Sequence, residues 1–261
     1  MNPLLILIGK LVLFISRTLN LGSGSTWPGH IAMEINPKFV RQVLKKNPNL
    51  KVAIVAGTNG KTTTSLILQT ILENSELKVF RNEAGANLLN GIASSIIANT
   101  NLTGRLNFDA AIFEVDERNV ELALKEINPH AILLLNIFRD QLDRYGEVNM
   151  VLKDWGEALS DVDSDPFLFT NGDDPALSYL AKKSGLTTFL FGIDKKLMTR
   201  DSVGHDVDFI YCPNCQTNLD YKKVSFSHMG DFICTKCKFK RENAETTKIT
   251  QYPLSGTYNI Y

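Results

Sequence analysis

Between Lys51 and Asn74 an apolar run, KVAIVA, stops at a four-residue turn, GTNG, and continues as KTTTSLILQTILEN. Five apolar residues in a row, Val52 to Ala56, suit a strand buried on both faces, and the segment after the turn suits a helix. A strand that feeds a helix through so short a glycine-rich turn is the start of a parallel βα unit. The turn itself, Gly57 to Thr63, is GTNGKTT, at the strand-to-helix junction where a phosphate-binding loop has to sit. There the backbone N–H groups of Thr58, Asn59, Gly60 and Lys61, with the helix N-terminus behind them, can surround phosphate oxygens. Lys61 is placed to neutralise β- and γ-phosphates, and the Thr62 hydroxyl to complete a Mg²⁺ shell, with Thr63 next to it. The eight-residue form of this loop has glycine where this chain has Val55, so the match is to the GxxGKT variant. The competing reading is a strand–helix turn that binds nothing.

The same alternation continues downstream. LKVFRN, DAAIFEVDE, HAILLLN, PFLFTN and TTFLFGI read as strands. ELALKEI, a stretch from Val148 to Ser160 and a stretch from Pro175 read as helices. The expected fold class is therefore α/β, a doubly wound and mostly parallel sheet. Glu114 closes the strand DAAIFEVDE, and strand carboxyl ends line the ligand crevice of such sheets, so it is the natural second Mg²⁺ ligand. Asp116 and Glu117 are weaker candidates, because acids also favour a helix start for electrostatic reasons alone. Phe167, Phe169, Phe189 and Phe191 alternate along two strands, as core packing requires.

Lysine plus arginine equals aspartate plus glutamate, 28 against 28, so no net charge draws the chain to polyanions. The four cysteines all lie in one segment, as CPNC (Cys212, Cys215) and CTKC (Cys234, Cys237) with eighteen residues between the pairs. That spacing fits a tetrahedral four-cysteine zinc site in a reducing, cytoplasmic compartment, and the strand–helix alternation lapses around it. The segment reads as a zinc-ribbon insertion. His130, His205 and His228 are isolated, and His30 lies in a Gly/Pro loop, so no histidine is assigned as a ligand. At the N-terminus an apolar run from Leu4 to Ile15, broken by Lys10, is too short to span a bilayer, which takes about 20 apolar residues. It reads as a helix docked on the core or resting on a membrane surface. A loop, LGSGSTWPGH, follows, in which Trp27 either covers the core or contacts lipid or sugar, and then a short helix over Pro37 to Lys46. The expected segments are 1–50 (helical), 51–204 (central ATPase domain), 205–241 (zinc ribbon) and 242–261 (return to the central domain).

Taken together, GTNGKTTT, FEVDE, LLNIFRDQLDRYGE, TNGDDPA and LSGTYNIY resemble the central domain of the Mur ligase family, over nearly the whole chain. The resemblance implies an enzyme that uses ATP and Mg²⁺ to activate a carboxylate as an acyl phosphate. It also implies site roles: Asn136, Asp140, Gln141 and Asp143 on the loop after a sheet strand, and Asn171 and Asp174 in the segment that meets the nucleotide base. Loop capping by their own backbone is the alternative for the first four. Lys61, Glu114, Asp140 and Asp143 form the expected catalytic set. The start LLILIGKLVLFISRTLNLGSGSTWPGHIA, the segment NEAGANLLNGIASS and the ribbon are similar to one branch, the MurT-type synthetase subunits of lipid II isoglutaminyl synthase. That branch implies a GatD-like class I glutaminase as partner, lipid II as substrate and Zn²⁺ in the ribbon. Most of the family has a metal-binding histidine where this chain has Gln141, which leaves a second Mg²⁺ in doubt. The family's C-terminal domain follows YNIYN, and this sequence stops at Tyr261. Two competing readings are a folylpolyglutamate-synthase-like ligase and a P-loop/zinc-ribbon protein that binds nucleic acid.

Overall fold

The computed structural model describes residues 2–18, 26–82, 85–138, 146–203 and 209–244. In chain order the elements are α1 (Asn2–Thr18), α2 (Trp27–Ile35), α3 (Phe39–Lys45), β1 (Lys51–Ala56), α4 (Lys61–Asn74), β2 (Val79–Arg81) and α5 (Leu89–Asn99). They continue as β3 (Ala110–Val115), α6 (Val120–Glu126), β4 (Ala131–Leu134), α7 (Gly146–Ser160), β5 (Phe167–Asn171), α8 (Pro175–Ser184), β6 (Thr188–Phe191), β7 (Leu219–Phe226) and β8 (Met229–Cys234). A six-stranded sheet has the order β2-β3-β1-β4-β5-β6, and β7 and β8 form a separate antiparallel hairpin. The pairings of β1 with β3, β2 with β3 and β5 with β6 are parallel. The expected doubly wound α/β sheet is thus present. Its chain path crosses to one side of β1 for β2 and β3, then to the other for β4 to β6.

The chain divides into two compact units. The first comprises Met1–Ala56, Lys61–Ile132 and Val162–Ser164. Its core is apolar and dense, with Ile54, Val55, Ile112 and Phe113 on the strands and Ile92, Ile96 and Ile97 on α5, all fully buried. Two of its helices are not evident in the sequence pattern. α5 buries Leu89, Gly91, Ile92, Ala93, Ser94, Ile96 and Ile97, so it is apolar nearly all round and carries no one-sided stripe. α2 begins at Trp27, inside what reads as a Gly/Ser/Pro loop, with Pro28 in its first turn, where a missing N–H costs nothing. The two cross closely at Gly29: a Cβ there would stand 1.9 Å from the Asn90 carbonyl oxygen, and the Gly29 N–H donates to Ser94 Oγ at 2.8 Å. The helix expected over Pro37 to Lys46 runs from Phe39 to Lys45.

α1 docks in an orientation that the sequence alone does not give. Lys10 donates to the Ala98 carbonyl at 3.2 Å, and a Cβ on Gly9 would touch Ile97. Burial lowers the Lys10 pKa. Leu4, Leu7, Leu11 and Phe14 point outward, each more than half exposed. No described helix is long and apolar enough to cross a membrane.

The second unit comprises Gly57–Gly60, Leu133–Asp161 and Asp165–Tyr261. Trp155 and Leu168 are fully buried in it. Core packing does not account for all four aromatic residues of β5 and β6, because Phe167 is 52% and Phe189 46% exposed. Among the described residues β6 is the last strand in the sheet order and has a neighbour on one side only. The Phe169 and Phe189 rings stack at 5.1 Å.

Candidate functional site

In the first unit β1 delivers the chain to the phosphate loop and α4 starts at Lys61. β3, paired in parallel with β1, places Glu114 opposite Val55. Glu114 is 2% exposed, and each of its carboxylate oxygens has a partner. The Thr62 hydroxyl donates to Oε2 at 2.8 Å, and Arg81 Nη1 donates to Oε1 at 3.3 Å. Asn82 fixes the Glu114 backbone from both sides, accepting its N–H at 2.8 Å and donating to its carbonyl at 3.0 Å. Lys61 Nζ lies 3.5 Å from Glu117 Oε2, and Asp116 accepts the Arg118 N–H as a cap. A buried carboxylate touching a threonine hydroxyl at a helix N-terminus is an all-oxygen donor set suited to Mg²⁺. Arg81 and Asn82 were not singled out from the sequence. The available signal was an arginine closing the strand LKVFRN, on the same sheet end as Glu114.

In the second unit residues 57–60 rest on the chain that follows β4. The Thr58 N–H donates to the Asn136 carbonyl at 3.1 Å, and the Asn59 N–H donates to Asn136 Oδ1 at 2.9 Å. Asn136 Nδ2 returns a bond to the Asn59 carbonyl at 3.0 Å. The Phe138 N–H donates to Thr58 Oγ1 at 2.9 Å, and that hydroxyl donates to the Phe138 carbonyl at 3.3 Å. Gly57 has φ +148° and Gly60 φ +87°, both in the left-handed region that favours glycine. A Cβ on Gly57 would come within 3.1 Å of the Asn136 backbone, so the loop lies flush against this shelf. Asn136 is thus a loop-supporting residue. Thr63 is an exposed residue of α4. Asp140, Gln141 and Asp143 lie outside the described residues.

The segment Asn171 to Asp174 is wholly buried. Asn171 accepts the Asp173 N–H at 2.9 Å through Oδ1, and its Nδ2 donates to Met229 Sδ at 3.2 Å. Asp174 caps α8 by accepting from Ala176 and Leu177. In this arrangement both side chains bond to protein. Arg241, 8% exposed, donates to Asp173 Oδ1 at 2.6 Å and to the Ile193 carbonyl at 2.8 Å.

The four cysteine sulfurs lie within 4.8 Å of one another, with Cys212–Cys237 at 3.6 Å and Cys215–Cys234 at 3.4 Å. A tetrahedral metal with sulfur bonds of about 2.3 Å has sulfur–sulfur edges of about 3.8 Å, so the cluster fits zinc. Two matching knuckles build it. The Cys212 N–H donates to Thr217 O at 2.8 Å and the Gln216 N–H to Cys212 O at 2.8 Å. In the second knuckle the Cys234 N–H donates to Phe239 O at 2.7 Å and the Lys238 N–H to Cys234 O at 3.2 Å. Gln216 and Lys238 both take a positive φ, at 58° and 61°. Without metal the thiols are unequal. Hydrogen bonding to Thr217 brings Cys215 down to about 6, whereas burial pushes Cys212 up to about 12. Cys212, Tyr221, Val224, Phe232, Cys234 and Phe239 form a small buried cluster around the site. His130 accepts the Val52 N–H at 3.2 Å and His228 is buried beside Asp174, so neither joins a metal cluster; His205 lies outside the described residues.

This chain has relatives among known proteins. It is 30% identical over 264 residues to the MurT subunit of lipid II isoglutaminyl synthase (glutamine-hydrolyzing) from Streptococcus pneumoniae, covering 92% of this chain and 56% of that one. The corresponding subunit from Staphylococcus aureus is 30% identical over 228 residues, covering 85% and 48%. The chain therefore spans about half the length of these relatives. Among solved structures, MurF ligase from Thermotoga maritima in complex with ADP superposes with a TM-score of 0.52 at 23% identity, over 62% of this chain and 36% of that one. A MurF from Acinetobacter baumannii gives a TM-score of 0.52 at 15% identity, over 91% and 43%. The model of the Mur ligase middle domain matches residues 55–261, which take in the phosphate loop, Glu114 and the cysteine hairpin. The chain belongs to the Mur ligase family.

Proposed function

We propose that this chain is the ATP-binding centre of a carbon–nitrogen ligase that modifies a peptidoglycan precursor. The observation that carries the reading is the Thr62–Glu114 pair at the start of α4, next to Lys61 in a glycine-shaped loop. A carboxylate is a poor electrophile because its charge and resonance repel nucleophiles. Moving the γ-phosphoryl group onto it creates a good leaving group, and the protein's part is positioning and charge neutralisation. Lys61 holds the γ-phosphate, and the N–H groups of residues 58–61 hold the phosphate oxygens. Thr62 and Glu114 hold Mg²⁺, whose contribution is to neutralise charge on the β- and γ-oxygens. Arg81 keeps Glu114 aimed. Asp140 and Asp143 are proposed to serve the acyl substrate or a metal-bound water.

The relatives' names mention lipid II and glutamine hydrolysis; the family resemblance extends the proposal to the D-Glu α-carboxyl of the stem peptide as acceptor and to a GatD-like class I glutaminase as the source of nitrogen. This chain spans about half the length of those proteins. Zn²⁺ staples the cysteine hairpin in segment 205–241, and four reduced thiolates suit a cytoplasmic setting. The outward apolar side of α1 supports a peripheral contact with the membrane that carries a lipid-linked substrate. The direct test is ATP hydrolysis by the chain with its glutaminase partner, lipid II and glutamine. Hydrolysis that needs all three supports the reading. Hydrolysis stimulated by DNA or RNA instead, or by a folate substrate, sinks it.

A further inference from the structure

The hairpin that carries the cysteines does more than hold a metal. Its turn, Phe226 to Met229, reaches the residues on which the phosphate loop rests, all within the second unit. His228 is fully buried and sits 3.3 Å, through Nε2, from Asp174 Oδ2. That same oxygen accepts the Ile137 N–H at 3.3 Å. The His228 ring also packs on Phe138, with centroids 5.1 Å apart, and on Phe209 at 5.0 Å. Its Nδ1 is buried with no hydrogen-bond partner among the described residues. Phe138 in turn exchanges two hydrogen bonds with Thr58 of the phosphate loop.

Neighbouring residues of the turn grip the same support. Gly230 donates its N–H to the Asp173 carbonyl at 2.9 Å, and Met229 Sδ accepts from Asn171. Ser225 Oγ donates to the Met229 carbonyl at 3.0 Å and pins the turn, in which Ser227 takes φ +47°. A buried imidazole with one nitrogen spent on a carboxylate and the other left among aromatic rings costs free energy. A hairpin serving only to hold metal has no need of it.

We infer that His228 is a positioning residue for nucleotide binding. It holds Asp174 and Phe138, which hold backbone 137–138, which fixes Thr58 and with it the orientation of the loop N–H groups. The phosphate loop is thus set from the cysteine hairpin as well as from the sheet. The inference rests on the nucleotide reading given above.

The test is calorimetric titration of the metal-loaded full chain with Mg²⁺ and ATP, well below the unfolding temperature of every variant. His228→Leu keeps the volume and removes the N–H, and is expected to weaken ATP binding about tenfold, the size of a lost hydrogen bond to a charged group. His228→Gln carries an amide N–H that can reach Asp174, and is expected to recover affinity to within about threefold of the unsubstituted chain. Phe138→Leu, which cuts the other arm, is expected to weaken binding as well. Zinc content should stay at one per chain in all three, so a loss of affinity is not a loss of the metal site. A purely structural role would lower the melting temperature of His228→Leu and leave its ATP affinity unchanged. Unchanged affinity in both His228→Leu and Phe138→Leu, with the unsubstituted chain binding ATP, overturns this inference alone. No ATP binding by the unsubstituted chain overturns the nucleotide reading with it.

Discussion

The Glu114 region and the cysteine hairpin are two places where side chains suited to a cation converge, but different forces shape them. Glu114 is placed by sheet register, by Asn82 on its backbone and by Arg81 on its carboxylate, so its position is set by the packed core of the first unit. The hairpin has two strands and a buried cluster of six residues, two of them cysteines. Two strands are marginal alone, and a core of that size contributes little. The first region is formed by the packed core around it; the second has too small a core to stand without a staple.

That contrast can be broken in order of expected effect. Removing the metal with a strong chelator, or Cys234→Ser, should release the hairpin, since structural zinc contributes on the order of 10 kcal/mol to small domains. Near-ultraviolet dichroism should report loss of packing around Tyr221 and Phe232 while the far-ultraviolet helix signal stays. Collapse of the helix signal too would mean that the metal also supports the sheet. Lys61→Ala should abolish ATP hydrolysis and lower ATP affinity at least about a hundredfold, measured by calorimetry. Unchanged affinity sinks the phosphate-loop assignment. Glu114→Ala leaves Arg81 facing an empty buried position and should cost about 2–3 kcal/mol in urea unfolding, besides Mg²⁺-dependent hydrolysis. Gly29→Ala tests how tightly the first unit is packed. With the Asn90 carbonyl 1.9 Å from the new Cβ, it should cost roughly 1–3 kcal/mol. Leu11→Glu, on the exposed side of α1, should change stability by no more than about 0.5 kcal/mol. It should nevertheless reduce sedimentation with anionic lipid vesicles if that side meets a membrane.

Much of the sheet and of the turn after β1 was legible because parallel strands write continuous apolar runs and a phosphate loop needs glycines and a lysine in fixed order. KVAIVA, AAIFEV and GTNGKTT carry those signals directly. α5 was not legible, since a helix buried nearly all round has no stripe, and α2 hid behind a proline that sits harmlessly in its first turn. For Asn171 and Asp174 the resemblance pointed to the nucleotide base, whereas their side chains bond to protein and hairpin. Arg241 and His228 have no sequence signal, because each acts through partners 54 to 68 residues away in the chain.

By itself, then, the sequence determined the α/β class, the glycine–lysine turn between β1 and α4 and the pairing of the four cysteines, all of which depend on local patterns of residue type and spacing. Only the tertiary structure decided that Glu114 meets Thr62 and Arg81, that α1 turns its apolar side outward, and that the cysteine hairpin supports the phosphate loop. Those are long-range contacts, fixed by which surfaces the packed chain brings together, and no local pattern encodes them.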